Sequence, residues 1–237
     1  MRLLFVASDP MEYAGILARS ADPRPARLAN VANVAVDWAR SARLGSHTAL
    51  FVANGAGSIR AATALGTAVA GFQPDAVVST GFCGALDAEL AIADVVVGTW
   101  VSDGARRYPL RPVTSGPPHR TGAICSIGHV AQTAVEKARL HASGAIAVEM
   151  EAAGVAGRAE EFDLPVYCVR TVTDLAGEDM ANDFNGALRP DGHFDTMYIL
   201  RSALRHPWTR VPELMRLRQR CVRAARVLGD FIADCRF

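Results

Sequence analysis

A chain of 237 residues, half of them hydrophobic and with a formal charge of +1 at pH 7, is long enough to bury a full core and too nearly neutral to hold nucleic acid by bulk electrostatics. Its five cysteines, Cys83, Cys125, Cys168, Cys221 and Cys235, form no CxxC pair and have no histidine at ligand spacing; a reduced, metal-free cytoplasmic protein is expected. The N-terminal run LLFVA is too short for a signal-peptide core, and no stretch approaches the ~18 apolar residues of a spanning helix, so the chain is expected to be soluble unless something docks it.

Short apolar, β-rich runs alternate with helical patterns. Strands are predicted at 3–7, 47–53, 76–80, 94–101, 122–127, 145–148 and 165–172, and helices at about 12–20, 57–72, 131–141 and 151–162. Runs apolar on both faces belong to a sheet covered on both sides. The expected fold is therefore α/β, a three-layer α/β/α sandwich around a mixed sheet, with residues 1–237 as one domain. Proline-rich residues 103–121 and the polar segment 176–195 read as loops, and long loops beside strand ends often cover a site. The sole lysine, Lys137, lies in a predicted helix outside any GK[ST] pattern, which disfavours a P-loop or Schiff-base enzyme.

The charge is unevenly spread. From Arg201 to Arg226 there are eight arginines and one acid, Glu213, so the 25 basic and 24 acidic residues of the chain leave 17 and 23 elsewhere. The tail from about 212 to 235 reads as an amphipathic helix. Leu214, Leu217, Cys221, Ala224, Leu228 and Phe231 form one stripe, and Arg216, Arg223 and Arg226 lie opposite. That pattern suits a terminal helix packed on the core with a solvated basic face, and it also suits a surface that meets a membrane or an acidic partner.

Ligands of open α/β sheets gather outside the carboxyl ends of the strands. Glu12 follows the first predicted strand, Gly55 and Gly57 the second, TGFCG (80–84) the third, Glu149 and Glu151 the run AIAV, and Thr173 and Asp174 the last strand. Taken singly these groups have structural readings: glycines permit a tight turn, and carboxylates support or cap a helix N-terminus. GAGSIR (55–60) is a poor dinucleotide loop, because Arg60 stands where a third glycine is needed. Glu149 and Glu151 share one face if the segment is extended and separate if a helix begins at Met150; one is expected in the site, the other in its support.

In this arrangement the chain resembles the purine nucleoside phosphorylase and nucleosidase superfamily. VVSTGFCGALDAELAIADVVVG is similar to that family's glycine-rich strand and turn. AVEMEAAGVAGRAEEFDLPVYCVRTVTD is similar to its ribose-binding and acid-bearing segment, especially in the methylthioadenosine and adenosylhomocysteine nucleosidases. EKARLHASGAIAVEME and LRPDGHFDTMYILRSALRHP are closer to the hopanoid-associated phosphorylase subgroup, thought to remove adenine from adenosylhopane. The resemblance implies that Glu151 holds the ribose hydroxyls, that Met150 packs under the sugar, and that Asp174 protonates N7 of the purine. It further implies substrate contacts from Gly81, Phe82 and Thr173, with the base read near Ile127, Gly128 and the two residues after them. A carboxyl group acting as acid near neutrality calls for burial that favours its protonated form.

Members of the family attack the anomeric carbon with water or with phosphate. At positions where the phosphorylases carry phosphate-binding arginines this chain has Glu12 and Ser79, and their phosphate-binding serine corresponds to Phe82. No compensating arginine is evident except Arg60 or one from a partner subunit. Hydrolysis with Glu12 orienting the water is the first reading; phosphorolysis, with inorganic phosphate as co-substrate, and a non-catalytic nucleoside-binding module are the alternatives. The implied partners are a small purine nucleoside, lipid-linked if the subgroup resemblance holds, and a second copy of the chain. Neither a cofactor nor nucleic acid is expected, and the basic tail suggests peripheral contact with the inner membrane face.

Overall fold

A computed structural model describes residues 1–28 and 36–237. The chain runs β1 (Arg2–Ala7), a single 3₁₀ turn (Pro10–Tyr13), α1 (Ala14–Ala18), β2 (Ala21–Pro25), β3 (Trp38–Leu44), β4 (His47–Ala53), α2 (Ser58–Phe72), β5 (Ala76–Ala85), β6 (Val95–Ser102) and β7 (Arg107–Pro109). It continues with β8 (Arg120–Ser126), α3 (Ala134–His141), β9 (Ala145–Glu149), α4 (Ala152–Glu160), β10 (Val166–Asp174), α5 (Phe184–Ala187), α6 (Thr196–Arg205) and α7 (Pro207–Asp234).

Alternation along β1 shows why the sheet has two covered faces. Leu4 and Val6 pack with Leu50, Val52 and Val77 under α2 and α4. Leu3 and Phe5 pack with Phe51, Val78 and the helices α1 and α7 on the other face. All four β1 side chains are fully buried, each contributing ~1.5–3 kcal/mol. The α/β class and the layered, mixed sheet are thus as the sequence predicts. The sheet is more curved than a flat sandwich: β5 pairs with β9 and β1 and also with β10, and β10–β6–β8–β9 returns to β5, closing five strands into a ring. From that ring β1, β4, β3 and β2 continue outward in order.

The first predicted helix, 12–20, is a 3₁₀ turn followed by the short α1. Asp9 caps the turn, and the carboxylate of Glu12 reaches back to the Asp9 N–H. Helix α1 crosses α7 so closely that a Cβ on Gly15 would overlap the Ala225 carbonyl, so glycine sets the helix separation there. The tail helix starts five residues before the predicted boundary, at Pro207, and takes Pro212 within its length. Cys221, Ala224, Leu228 and Phe231 of the expected stripe are buried, while Arg216, Arg223 and Arg226 are exposed. Among the described residues no helix is long and apolar enough to cross a membrane.

Candidate active site

The strand ends converge as the sequence suggests. A cavity of about 360 Å³ opens above β1, β5, β9 and β10, bordered by Glu12, Phe82, Met150, Glu151, Thr173 and Asp174. Its size falls within the range of small-molecule sites. The opposite wall is apolar and comes from later elements: Met180, Phe184, Phe194, Ile199 and Leu217.

Glu12 lies almost fully buried at the floor. Its Oε2 accepts the Ser8 N–H at 2.9 Å, the Ser8 hydroxyl at 2.9 Å and the Asp9 N–H at 3.0 Å, while Oε1 accepts the Phe82 N–H at 2.8 Å. Four donors favour the ionised form, but burial dominates and raises its pKa above the usual carboxylate value, opposed chiefly by the charge of Arg170. Gly81 has φ +133° and stands directly against this carboxylate: a Cβ there would overlap Glu12 Oε1 and press on an Arg170 nitrogen. The expected substrate role of Gly81 is corrected by this placement. It does not border the cavity, and it lets β5 pass close behind Glu12.

Arg170 is the principal group that the sequence reading missed. It lies in β10, its side chain is wholly buried, and it stands among three carboxylates. Nη2 pairs with Glu149 Oε2 and donates to Ser79 Oγ at 2.8 Å. Nη1 donates to the Thr80 carbonyl at 2.9 Å and lies 3.5 Å from Glu151 Oε2. Arg170 is thus a positive charge beside the site other than the expected Arg60 or a partner subunit's arginine. Arg60 donates to the Asn54 carbonyl and faces Asp37, away from the cavity lining. The carboxylates raise Arg170's pKa despite burial.

Glu149 and Glu151 both border the cavity, but they have different partners. Glu149 ends β9 and accepts the N–H groups of Glu151 and Ala152 at 2.9 and 2.8 Å, so it supports the start of α4 while it pairs with Arg170. Glu151 Oε1 accepts only the Gly57 N–H, at 3.1 Å. Burial and then the neighbouring charge of Glu149 push its pKa up to about 8, against the opposing charge of Arg170. That shift favours the protonated form of Glu151 at neutral pH.

Asp174 ends β10, and its surroundings depart from expectation. Instead of an apolar wall it meets the ammonium of Lys137, 2.5 Å from Oδ2, while Oδ1 accepts the Thr173 hydroxyl at 3.1 Å. Burial alone does not set its environment. Ile127 and Gly128 also need correction. The Ile127 N–H is tied to the Glu149 carbonyl at 2.9 Å and neither residue borders the cavity, because the chain turns inward only afterwards, at His129, Val130 and Ala131. Among the described residues no group of three or more His, Cys, Asp or Glu side chains is arranged to hold a metal ion.

The model of the phosphorylase superfamily matches residues 3–123 and 112–192, and the chain belongs to that family. It is similar to the 5′-methylthioadenosine/S-adenosylhomocysteine nucleosidase of Shewanella sediminis, 24% identical over 232 residues that cover 84% of this chain and 97% of the relative. It is 30% identical to the enzyme of that name from Staphylococcus aureus strain Newman over 166 residues, covering 57% of this chain and 72% of the relative. Among solved structures, the Helicobacter pylori nucleosidase of the same name superposes with TM-score 0.70 at 16% identity, covering 98% of this chain and 95% of that one. Futalosine hydrolase of Helicobacter pylori strain 26695 gives 0.68 at 15% identity, with the same coverage of both chains. At such identities the structural likeness is one of fold.

Proposed function

We propose that this protein is a purine nucleosidase that hydrolyses the N-glycosidic bond of an adenine nucleoside without a cofactor. The single observation that carries the choice of water over phosphate is the state of the floor: the backbone N–H groups of Ser8, Asp9 and Phe82 and the Ser8 hydroxyl are all taken by Glu12's own carboxylate. An anion-binding nest already filled by a carboxylate repels a phosphate dianion. The two terminal nitrogens of Arg170 are already committed to Glu149, Ser79 and Thr80, and its side chain has no exposed surface. The same carboxylate suits a general base, since burial lifts its pKa toward the working range.

In this reading the ribose lies over Met150 with its hydroxyls on Glu151, and the purine lies between Phe82 and the Val130 side, with Thr173 beside Asp174. The C1′–N9 bond breaks with its electron pair going to N9. Asp174 gives a proton to N7, water adds its oxygen to C1′, and Glu12 takes the proton that the water loses. The products are adenine and the free sugar. Names and folds of the relatives support the reaction class; Glu12 and Asp174 on the lining of one cavity support these assignments.

The apolar wall supports a finer reading, that the 5′ group is large and apolar, adenosylhopane being the candidate. Phe194, Ile199 and Leu217 stand on that wall. Nearby on α6 and α7, Leu200, Leu204, Trp208 and Met215 are exposed, with Trp208 92% accessible, among the arginines of the tail. Apolar side chains on basic helices suit an anionic membrane surface.

The decisive measurement is product analysis on adenosines with methylthio, homocysteinyl and long alkyl 5′ groups, with and without phosphate. Free adenine and free sugar at a rate indifferent to phosphate are expected. A sugar 1-phosphate as product would overturn hydrolysis, and binding without turnover of any substrate would leave only a nucleoside-binding module.

A further inference from the structure

Lys137 is the only lysine of the chain and the only buried residue of α3, and its side chain has no exposed surface. Burying an ammonium is costly unless it is fully paired. Here it donates to Asp174 Oδ2 at 2.5 Å and to the Leu175 carbonyl at 2.8 Å. The other cation near this strand end, Arg220, is already held by Glu178 through contacts of 2.6 and 2.9 Å. Among the described residues Asp174 is the sole carboxylate paired with Lys137. A buried ion pair contributes little to stability compared with apolar packing of equal volume, so the fold gains little from a lysine at this point.

We propose that Lys137 is a positioning residue for Asp174, acting on the leaving base through that carboxyl group. Two consequences follow from the geometry. Oδ2 is fixed by the ammonium, so the plane of the carboxyl group is set and Oδ1, beside Thr173, is the oxygen without an ion pair. In the acid form the proton sits on Oδ1 while Oδ2 still accepts from the ammonium; when that proton passes to N7 the full ion pair forms at 2.5 Å, and the fixed positive charge stabilises the carboxylate as it develops. The electron pair of the broken C1′–N9 bond remains on the base, the proton moves from Asp174 to N7, and Lys137 keeps its own protons throughout. This inference rests on the assignment of Asp174 as the acid.

The test exploits the leaving group. Adenosine needs its base protonated to depart, whereas 4-nitrophenyl β-D-ribofuranoside releases a stable phenolate without an acid. Lys137→Met is expected to lower kcat on adenosine ~10²-fold, within the range of general acid catalysis, with KM changed less than about threefold and nitrophenyl riboside cleavage within about threefold of normal. Lys137→Arg, which keeps a cation but moves its charge, should recover part of the adenosine rate. In an Asp174→Asn background, Lys137→Met should add no further loss. Normal adenosine turnover in Lys137→Met beside a slow Asp174→Asn would overturn the positioning role and leave the acid intact. Normal turnover in Asp174→Asn would remove the acid assignment itself. Equal loss on both substrates, in Lys137→Met or in Lys137→Arg if the former does not fold, would make Lys137 purely structural.

Discussion

Replacing Glu151 by Gln should make the protein more stable and a worse enzyme, and the stability gain should grow with pH. In the folded protein burial, and then the charge of Glu149, raise the Glu151 pKa from the ordinary 4.5 to about 8. For an acid so shifted, its contribution to stability is fully present below the unfolded value and is lost as pH rises through the folded one. At pH 7 the unfolded chain ionises this group while the folded protein holds it protonated, a cost of roughly 3 kcal/mol at 1.36 kcal/mol per pH unit. Glutamine removes that cost. It adds one of its own, because the Gly57 N–H and Arg170 Nη1 approach different oxygens of this side chain and the amide puts an NH2 donor in place of one of them, an expense of about 1–2 kcal/mol. That expense does not vary with pH. The diagnostic is therefore the slope: urea melts at pH 5, 6, 7 and 8 should show the difference between variant and parent rising by of order 3 kcal/mol across the range. A difference that stays flat with pH would refute the protonated Glu151. On substrate, replacing the carboxyl group that holds the sugar hydroxyls should raise KM and lower kcat, together about 1–3 kcal/mol in kcat/KM.

Three further outcomes are expected. Glu12→Gln should lower turnover at least ~10²-fold with adenine binding kept, and added phosphate should not restore it; steady-state rates with and without phosphate check this. Gly15→Ala drives a methyl into the Ala225 carbonyl and should cost ~1–3 kcal/mol in a denaturation curve, with the activity of the folded fraction unchanged. The protein should pellet with anionic liposomes at low salt and be released at high salt, and joint replacement of Arg216, Arg223 and Arg226 by Gln should abolish pelleting without slowing cleavage of soluble adenosines.

What the sequence displayed and what it hid follow from one rule, that buried apolar periodicity is visible and backbone pairing is not. The strands β1, β4, β6 and β10 are nearly continuous apolar runs, and their limits lie within two residues of those predicted. Strands β2 and β3, ADPRP and WARSARL, were not anticipated. They sit at the outer edge, β2 is exposed throughout, and polar side chains on an edge strand leave no pattern to read. Helix α6 escaped because its apolar side chains, Met197, Leu200 and Leu204, face outward and only Ala203 is buried. In the site, the carboxylates were legible because they follow strands. Arg170 and Lys137 were not, since each lies inside an element. A signal was present: an arginine in the middle of a run apolar on both faces must meet counter-charge, and three carboxylates stood on the rim it points toward.

Those three carboxylates and one arginine also bear on the proposed hydrolysis, whose transition state is cationic. Glu12, Glu149 and Glu151 surround Arg170, so the buried cluster holds more acids than bases, and the empty protein relieves the excess by keeping Glu151 protonated. A neutral nucleoside does nothing to change this balance. As the C1′–N9 bond stretches, positive charge appears on the ribose ring among these groups, which supplies the missing cation and strengthens every carboxylate interaction at once. An interaction that is weak with the substrate and strong with the transition state is what accelerates the chemical step. A phosphate nucleophile would bring two more negative charges to the same place and deepen the imbalance, whereas water brings none and, in the proposed mechanism, gives its proton to Glu12. Under the proposed hydrolysis, the unfavourable electrostatics of the resting site would thus favour water over phosphate.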